Sequence, residues 1–143
     1  MTYDEWEEGA PEAARADSTW KVEAYRLALF ASALAWEDAE TLAREPRSAA
    51  IVGQLVRAAG SIAANIAEGY GRRSPKARVR FYEFALGSAG ECRAWYLTAR
   101  PAIGNPVLAQ RLANLLSITR LLLTMIRRER EKPADWMERV RAN

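Results

Sequence analysis

From Trp20 onward, apolar residues recur every three or four positions, and the two-residue alternation of a strand is missing. The spacing predicts a first helix from about Trp20 to Arg44, capped by Ser18 and broken by Pro46. A second runs from about Ser48 to Glu68 and stops in "EGYG", where Gly69 or Gly71 is expected to take a left-handed C-cap conformation. Ser74 as N-cap and Pro75 at the first helical position open a third, which runs to about Arg100. Pro101 and "GNP" end it. Asn105-Pro106 repeats the cap-then-proline signal, and the fourth helix continues to about Glu131, ahead of Pro133. Long helices joined by short connections predict an all-α fold, an up-down-up-down antiparallel four-helix bundle over residues 18–132. Residues 1–17 read as a flexible extension, and 133–143 as a tail or short helix presenting Trp136, Met137 and Val140.

The apolar stripes are wider than a lone bundle needs. On the first helix Trp20, Ala24, Leu27, Ala31, Leu34 and Leu42 form one seam, while Val22, Tyr25, Leu29, Ala33 and Trp36 form another on a different side. The second seam, with Val22, Tyr25, Leu29 and Trp36, is the expected interface with another subunit, because large apolar patches seldom stay wet. A generous monomer core with Trp36 partly exposed is the alternative. Ala58, Ala59, Ile62, Ala63, Ile66 and Ala67 make a small-residue face on the second helix, and Gly87, Gly90 and Ala94 do the same on the third. Each glycine costs roughly 1 kcal/mol against alanine, so close packing on a neighbouring helix is expected to compensate. Ser61, Asn65 and Glu68, facing Ser88 and Glu91, read as a structural polar network.

Composition changes the picture chiefly by what it lacks. Among 143 residues there is no histidine, which removes Ser-His-Asp and Cys-His catalysis, the usual zinc sites and Glu-x-x-His di-iron pairs. No phosphate-loop motif is present. The expectation is therefore a protein without catalytic residues, metal or cofactor; a hydrolytic reading rests only on Glu68 and Glu91. The lone Cys92 forms no internal disulfide, no run reaches the roughly 18 apolar residues of a membrane span, and the acidic N-terminus does not resemble a secretion signal. A cytoplasmic protein is expected.

Charge supplies the positive signal. The chain carries a net +3, with a pI near 9.3. Arg72, Arg73, Lys76, Arg78 and Arg80 crowd around the start of the third helix with no acid among them. Cations there oppose the helix dipole, at up to about 1 kcal/mol each, and bound phosphates would offset that. In an up-down-up-down bundle the same end holds Arg127, Arg128 and Arg130, near a C-terminus that favours them. These eight residues are the expected nucleic-acid site, through backbone contacts with little base readout. A solvated, solubilising surface is the bland alternative. Residues 1–17 hold six acids and one base, leaving +8 elsewhere, and emerge at that end. They are expected either to fold over it and compete with nucleic acid, or to remain a disordered acidic tail.

"QLVRAAGSIAANIAEGYGRRS" followed by "RFYEFALGSAGE" resembles the bacterial four-helix-bundle family encoded in intervening sequences of large-subunit rRNA genes, which is related to the accessory (Avd) proteins of diversity-generating retroelements. The resemblance covers roughly Trp20 to Arg128. Ala77 departs from it, standing where an acid of an "S-x-x-E" capping box is expected, and the acidic first 17 residues are an addition to the pattern. The resemblance implies a cyclic homopentamer with a basic surface, no catalysis, and an accessory role to a nucleic-acid enzyme such as a reverse transcriptase. The competing reading is a protein–protein scaffold whose basic end meets an acidic partner.

Overall fold

The computed structural model describes residues 1–143 and contains helices but no strand. In chain order these are α1 (Tyr3–Glu8), α2 (Glu12–Ala16), a 3₁₀ turn (Ser18–Lys21), α3 (Glu23–Ala43), α4 (Pro46–Ala49), α5 (Val52–Tyr70), α6 (Pro75–Thr98), α7 (Arg100–Ile103), α8 (Asn105–Glu131) and α9 (Trp136–Ala142). Of the four long helices, α3 and α6 each pack on both α5 and α8, so the contacts close into a ring with α3 diagonal to α6. Leu42, Leu55, Ile62, Ile66, Ile118, Leu122 and Cys92 fill its centre and are fully buried. Ala58, Ala59 and Ala63 are buried beside them, so the small face of α5 does meet its neighbours.

Local chemistry sets some boundaries as expected and moves others. Ser74 Oγ accepts the Ala77 N–H at 3.1 Å and Pro75 occupies the first turn of α6. Ser18 is not a cap. Asp17 takes the Thr19 N–H at 2.7 Å and starts the 3₁₀ turn, which delays α3 to Glu23. Pro46 begins α4, whose Ser48 hydroxyl donates to the Leu42 carbonyl at 2.6 Å, so α5 starts only at Val52. Asn105 lies inside α8 with its side-chain oxygen accepting from Arg100 Nε at 2.8 Å, and no side chain caps that helix.

The glycines correct the sequence reading twice. Gly71 ends α5 in a right-handed conformation (φ −75°), and Gly104 alone is left-handed, at φ +83°. Gly69 is required for a different reason. A Cβ there would lie 2.8 Å from the Tyr82 ring and 3.0 Å from Phe81 Cβ, so its absence lets α5 and α6 approach. Gly87 and Gly90 were expected to do likewise on α6, but a Cβ on either would meet nothing within 4 Å. Both face outward, as does Ala94.

Residues 1–17 are folded. Thr2 and Glu5 form a reciprocal capping box on α1. Tyr3 and Trp6 pack on Phe30 of α3 with ring centroids 5.6 and 5.8 Å away, and Trp6 stacks on Trp20. Arg26 Nε donates to the Tyr3 hydroxyl at 3.0 Å and lies 3.1 Å from the Glu7 carboxylate. Of the second apolar seam of α3, Val22, Tyr25 and Leu29 are half-buried, whereas Trp36 is 74% exposed.

One buried polar cluster had no counterpart in the sequence reading. Asp38 of α3 accepts the Tyr96 hydroxyl of α6 at 2.7 Å and a bidentate pair from Arg111 of α8, at 2.7 and 2.9 Å. Burial, reinforced by Asp38, pushes the Tyr96 phenol upward; burial works against the Arg111 charge, yet Asp38 leaves it raised overall.

Candidate nucleic-acid interface

Two ion pairs place the start of α6 beside the end of α8: Arg78 with Glu129 at 3.4 Å, and Arg130 with Glu83. The basic residues of residues 68–83 and 127–132 thus share one end of the molecule. Nine cations there face four acids: Glu68, Glu83, Glu129 and Glu131. The first turn of α6 holds no acid at all. Between the helices lies a cleft of about 660 Å³ lined by Arg72, Ser74, Lys76, Ala77, Val79, Arg80, Phe81, Glu83 and Arg130.

The eight expected residues are not equally free. Arg72 bridges Glu68 one turn earlier and lies over the Phe81 ring, 4.8 Å from its centroid. Arg80 lies 5.6 Å over Phe84. Arg127 is 4.0 Å from Glu131, an exposed pairing of little energetic weight. Arg73, Lys76 and Arg128 make no ion pair. Arg78 is the most constrained: its Nε donates to the Arg72 carbonyl at 2.8 Å, and its guanidinium lies 5.4 Å from the Trp136 ring. The positive run therefore does have acidic partners, Glu68 from α5 and Glu129 from α8, and they offset part of the dipole penalty.

Glu129, expected from the sequence to be a helix-surface acid, is not one. It is buried, accepts from Lys132 Nζ at 2.7 Å and from Arg78 through the same oxygen, and leaves its second oxygen without a partner. Trp136 of α9 covers this cluster, with Lys132 Nζ 4.3 Å from its centroid. The tail therefore docks on its own chain through Trp136, while Val140 stays exposed. Beneath, burial pushes the Tyr82 phenol up to about 12, with Arg78 opposing and Glu129 adding to the shift.

The acidic N-terminal residues do not lie over this site. Glu7 pairs with Arg26, Glu5 and Asp17 cap their own turns, and none of the six acids bridges the basic cluster. The aromatic docking of Tyr3 and Trp6 on Phe30 holds the segment against the side of α3 instead.

The expected polar network divides into separate pieces. Ser61 and Ser88 hydroxyls meet at 2.9 Å across α5 and α6, and Asn65 Nδ2 donates to Ser61 Oγ at 3.0 Å. Glu91 instead takes the Arg57 guanidinium and the Trp95 indole N–H, and Glu68 takes Arg72. Glu68 and Glu91 share no partner, which leaves a paired-carboxylate chemistry without support. No group of three or more potential metal-ligating side chains occurs, and no helix is long and apolar enough to cross a membrane.

Comparison with known proteins bears on the fold first. A solved structure of a protein of unknown function, from the S23 ribosomal protein family of Bacteroides thetaiotaomicron, is similar with a TM-score of 0.67 at 21% identity. The likeness covers 72% of this chain and 97% of that one, and at this identity it speaks to the fold alone. No curated protein matched. The family model described as 23S rRNA-intervening sequence protein matches residues 21–120, which takes in α3 through most of α8 and the run from Arg72 to Arg80, but not α1, α2, α9 or Arg127 to Arg130. With well over half its length matched, the chain belongs to the 23S rRNA-intervening sequence protein family.

Proposed function

We propose that this chain is a non-enzymatic four-helix bundle, assembled as a cyclic homopentamer, whose basic end binds the phosphates of RNA or DNA in support of a nucleic-acid enzyme such as a reverse transcriptase. The observation that carries this reading is the cleft at the start of α6, where Arg72, Lys76, Arg80 and Arg130 converge on a helix N-terminus without an acid in its first turn. Free N–H groups and guanidinium groups together form an anion site. Phe81 and Phe84 lie beneath Arg72 and Arg80 and hold their guanidinium planes in place. The ring of contacts among α3, α5, α6 and α8 supports the bundle, and the family name agrees with an RNA setting. Repetition of the basic end around an oligomer would make phosphate binding multivalent.

Fluorescence anisotropy with labelled single-stranded RNA and duplex DNA tests the reading. Micromolar or tighter binding that weakens steeply with salt is the expected result. Absence of binding at low salt by an intact oligomer would overturn it and favour the second reading, in which the same cations meet an acidic protein.

A further inference from the structure

Gly87 and Gly90 lie within a 24-residue helix, where each is about 1 kcal/mol less favourable than alanine. Nothing within the chain compensates, since a Cβ on either would touch no other group. Their surroundings supply a reason. The Glu83–Arg130 bridge fixes the register of antiparallel α6 and α8. Seven residues along each helix from that bridge, in opposite chain directions, Gly90 comes level with Leu123; seven further, Leu97 comes level with Leu116. Leu97, Leu116 and Leu123 are 43%, 47% and 55% exposed. Helical spacing from that bridge thus sets side-chain-free Gly90 among exposed leucines, which makes the outer seam of α6 and α8 a shallow apolar groove.

Its rim is basic. Arg93 lies one helical turn from both Gly90 and Leu97, and Arg120 one turn from both Leu116 and Leu123; both arginines are exposed and unpaired. The chain's most exposed large apolar side chain, Trp36, has the opposite setting: it is followed by exposed Glu37 and stands one turn from exposed Glu40. It lies on α3, diagonal to α6, so it does not reach the groove of its own chain.

We infer that Trp36 of one copy seats in the α6–α8 groove of the next. A flat indole fills the space that the glycines leave open, and Glu37 and Glu40 face the arginine rim. A buried tryptophan anchor inside a polar rim is the usual composition of an energetic hot spot. The contact joins unlike surfaces, so each copy retains a free Trp36 on one side and a free groove on the other, and repetition closes a ring or extends a filament. This rests on the homo-oligomeric part of the reading above and names the surfaces responsible.

Site-directed disulfide trapping tests it. Trp36→Cys and Gly90→Cys chains are prepared separately, with buried Cys92 retained in both, then mixed and oxidised. A covalent dimer that forms in the mixture, and in neither variant alone, is the expected result. A Trp36→Cys dimer forming without the Gly90→Cys chain, or an intact oligomer giving no mixed dimer, would overturn the contact while leaving oligomerisation standing. Wild-type protein sedimenting as a monomer at tens of micromolar would overturn both. Trp36→Glu should shift the oligomer to smaller species with helical circular dichroism unchanged; a tryptophan serving only the monomer fold would change the helical signal instead.

Discussion

Asp38 and Glu129 are both buried acids facing an arginine on another helix, and they illustrate two uses of the same pairing. At Asp38 both carboxylate oxygens are engaged, by Arg111 and by Tyr96, and α3, α6 and α8 are tied together. At Glu129 one oxygen serves two cations while the other has no partner. The first cluster is closed and electrically balanced. The second is open at one carboxylate oxygen, lies under Trp136 at an end with surplus positive charge, and sets two cations against one acid. A closed pair clamps the fold; an open one leaves net positive charge that an incoming anion can balance.

Substitution should separate the two. The largest effect is expected at the clamp. Asp38→Ala leaves Arg111 buried without its counter-charge and should lose about 3–5 kcal/mol, read from urea unfolding. Joint replacement of Asp38 and Arg111 by leucine and methionine should lose clearly less, because no charge is stranded. Equal losses in the two variants would contradict this account. At the open end, changing Arg72, Lys76, Arg80 and Arg130 together to alanine should weaken RNA binding by roughly 100-fold, with unfolding little affected. The slope of log affinity against log salt for single strands should flatten by about 3 in the same titration.

Alkaline titration probes the interior beside the clamp. Burial, with smaller contributions from Glu91 and Asp38, pushes the Cys92 thiol from 9.0 up to about 12. The unfolded chain then loses this proton first, so the stability contribution is complete below pH 9 and declines as pH rises toward 12. The loss should approach 1.4 kcal/mol per pH unit within that window. Cys92→Ala should show a correspondingly shallower decline of stability with pH, whatever its absolute stability. The smallest effect is expected from Glu129→Gln, which releases Arg78 and Lys132. Binding should tighten roughly two- to fivefold and the salt slope should steepen. Weaker binding by this variant would show that Glu129 positions the cations instead of occupying them.

What the sequence could tell depended on the range of each interaction. Ser74 and Pro75 located the start of α6 correctly because a cap acts within four residues. Periodicity located the long helices, and a basic α6 start was legible from consecutive charges. The Asp38–Arg111 pair spans 73 positions and carries no local signal. Helical spacing told which residues share a face but not which way Gly87 and Gly90 point, since small residues suit a close contact or an open groove equally. Acidic composition suggested a flexible N-terminus; Tyr3 and Trp6 were the contrary signal, and their aromatic contacts with Phe30 and Trp20 decided the outcome. Arg72 to Arg80 were read as a group of cations, yet Glu68 of α5 and Glu129 of α8 come from two other helices to meet Arg72 and Arg78.

The long reach of the Asp38 clamp has a consequence for time as well as strength. Its three members come together only after α3, α6 and α8 have all docked, and two buried charges gain their attraction only when water has left. A clamp that needs three docked helices is expected to close after the main folding barrier. Asp38→Ala should leave the refolding rate nearly unchanged and appear almost entirely as faster unfolding. On that outcome Asp38 would set how long a folded molecule lasts more than how quickly it forms.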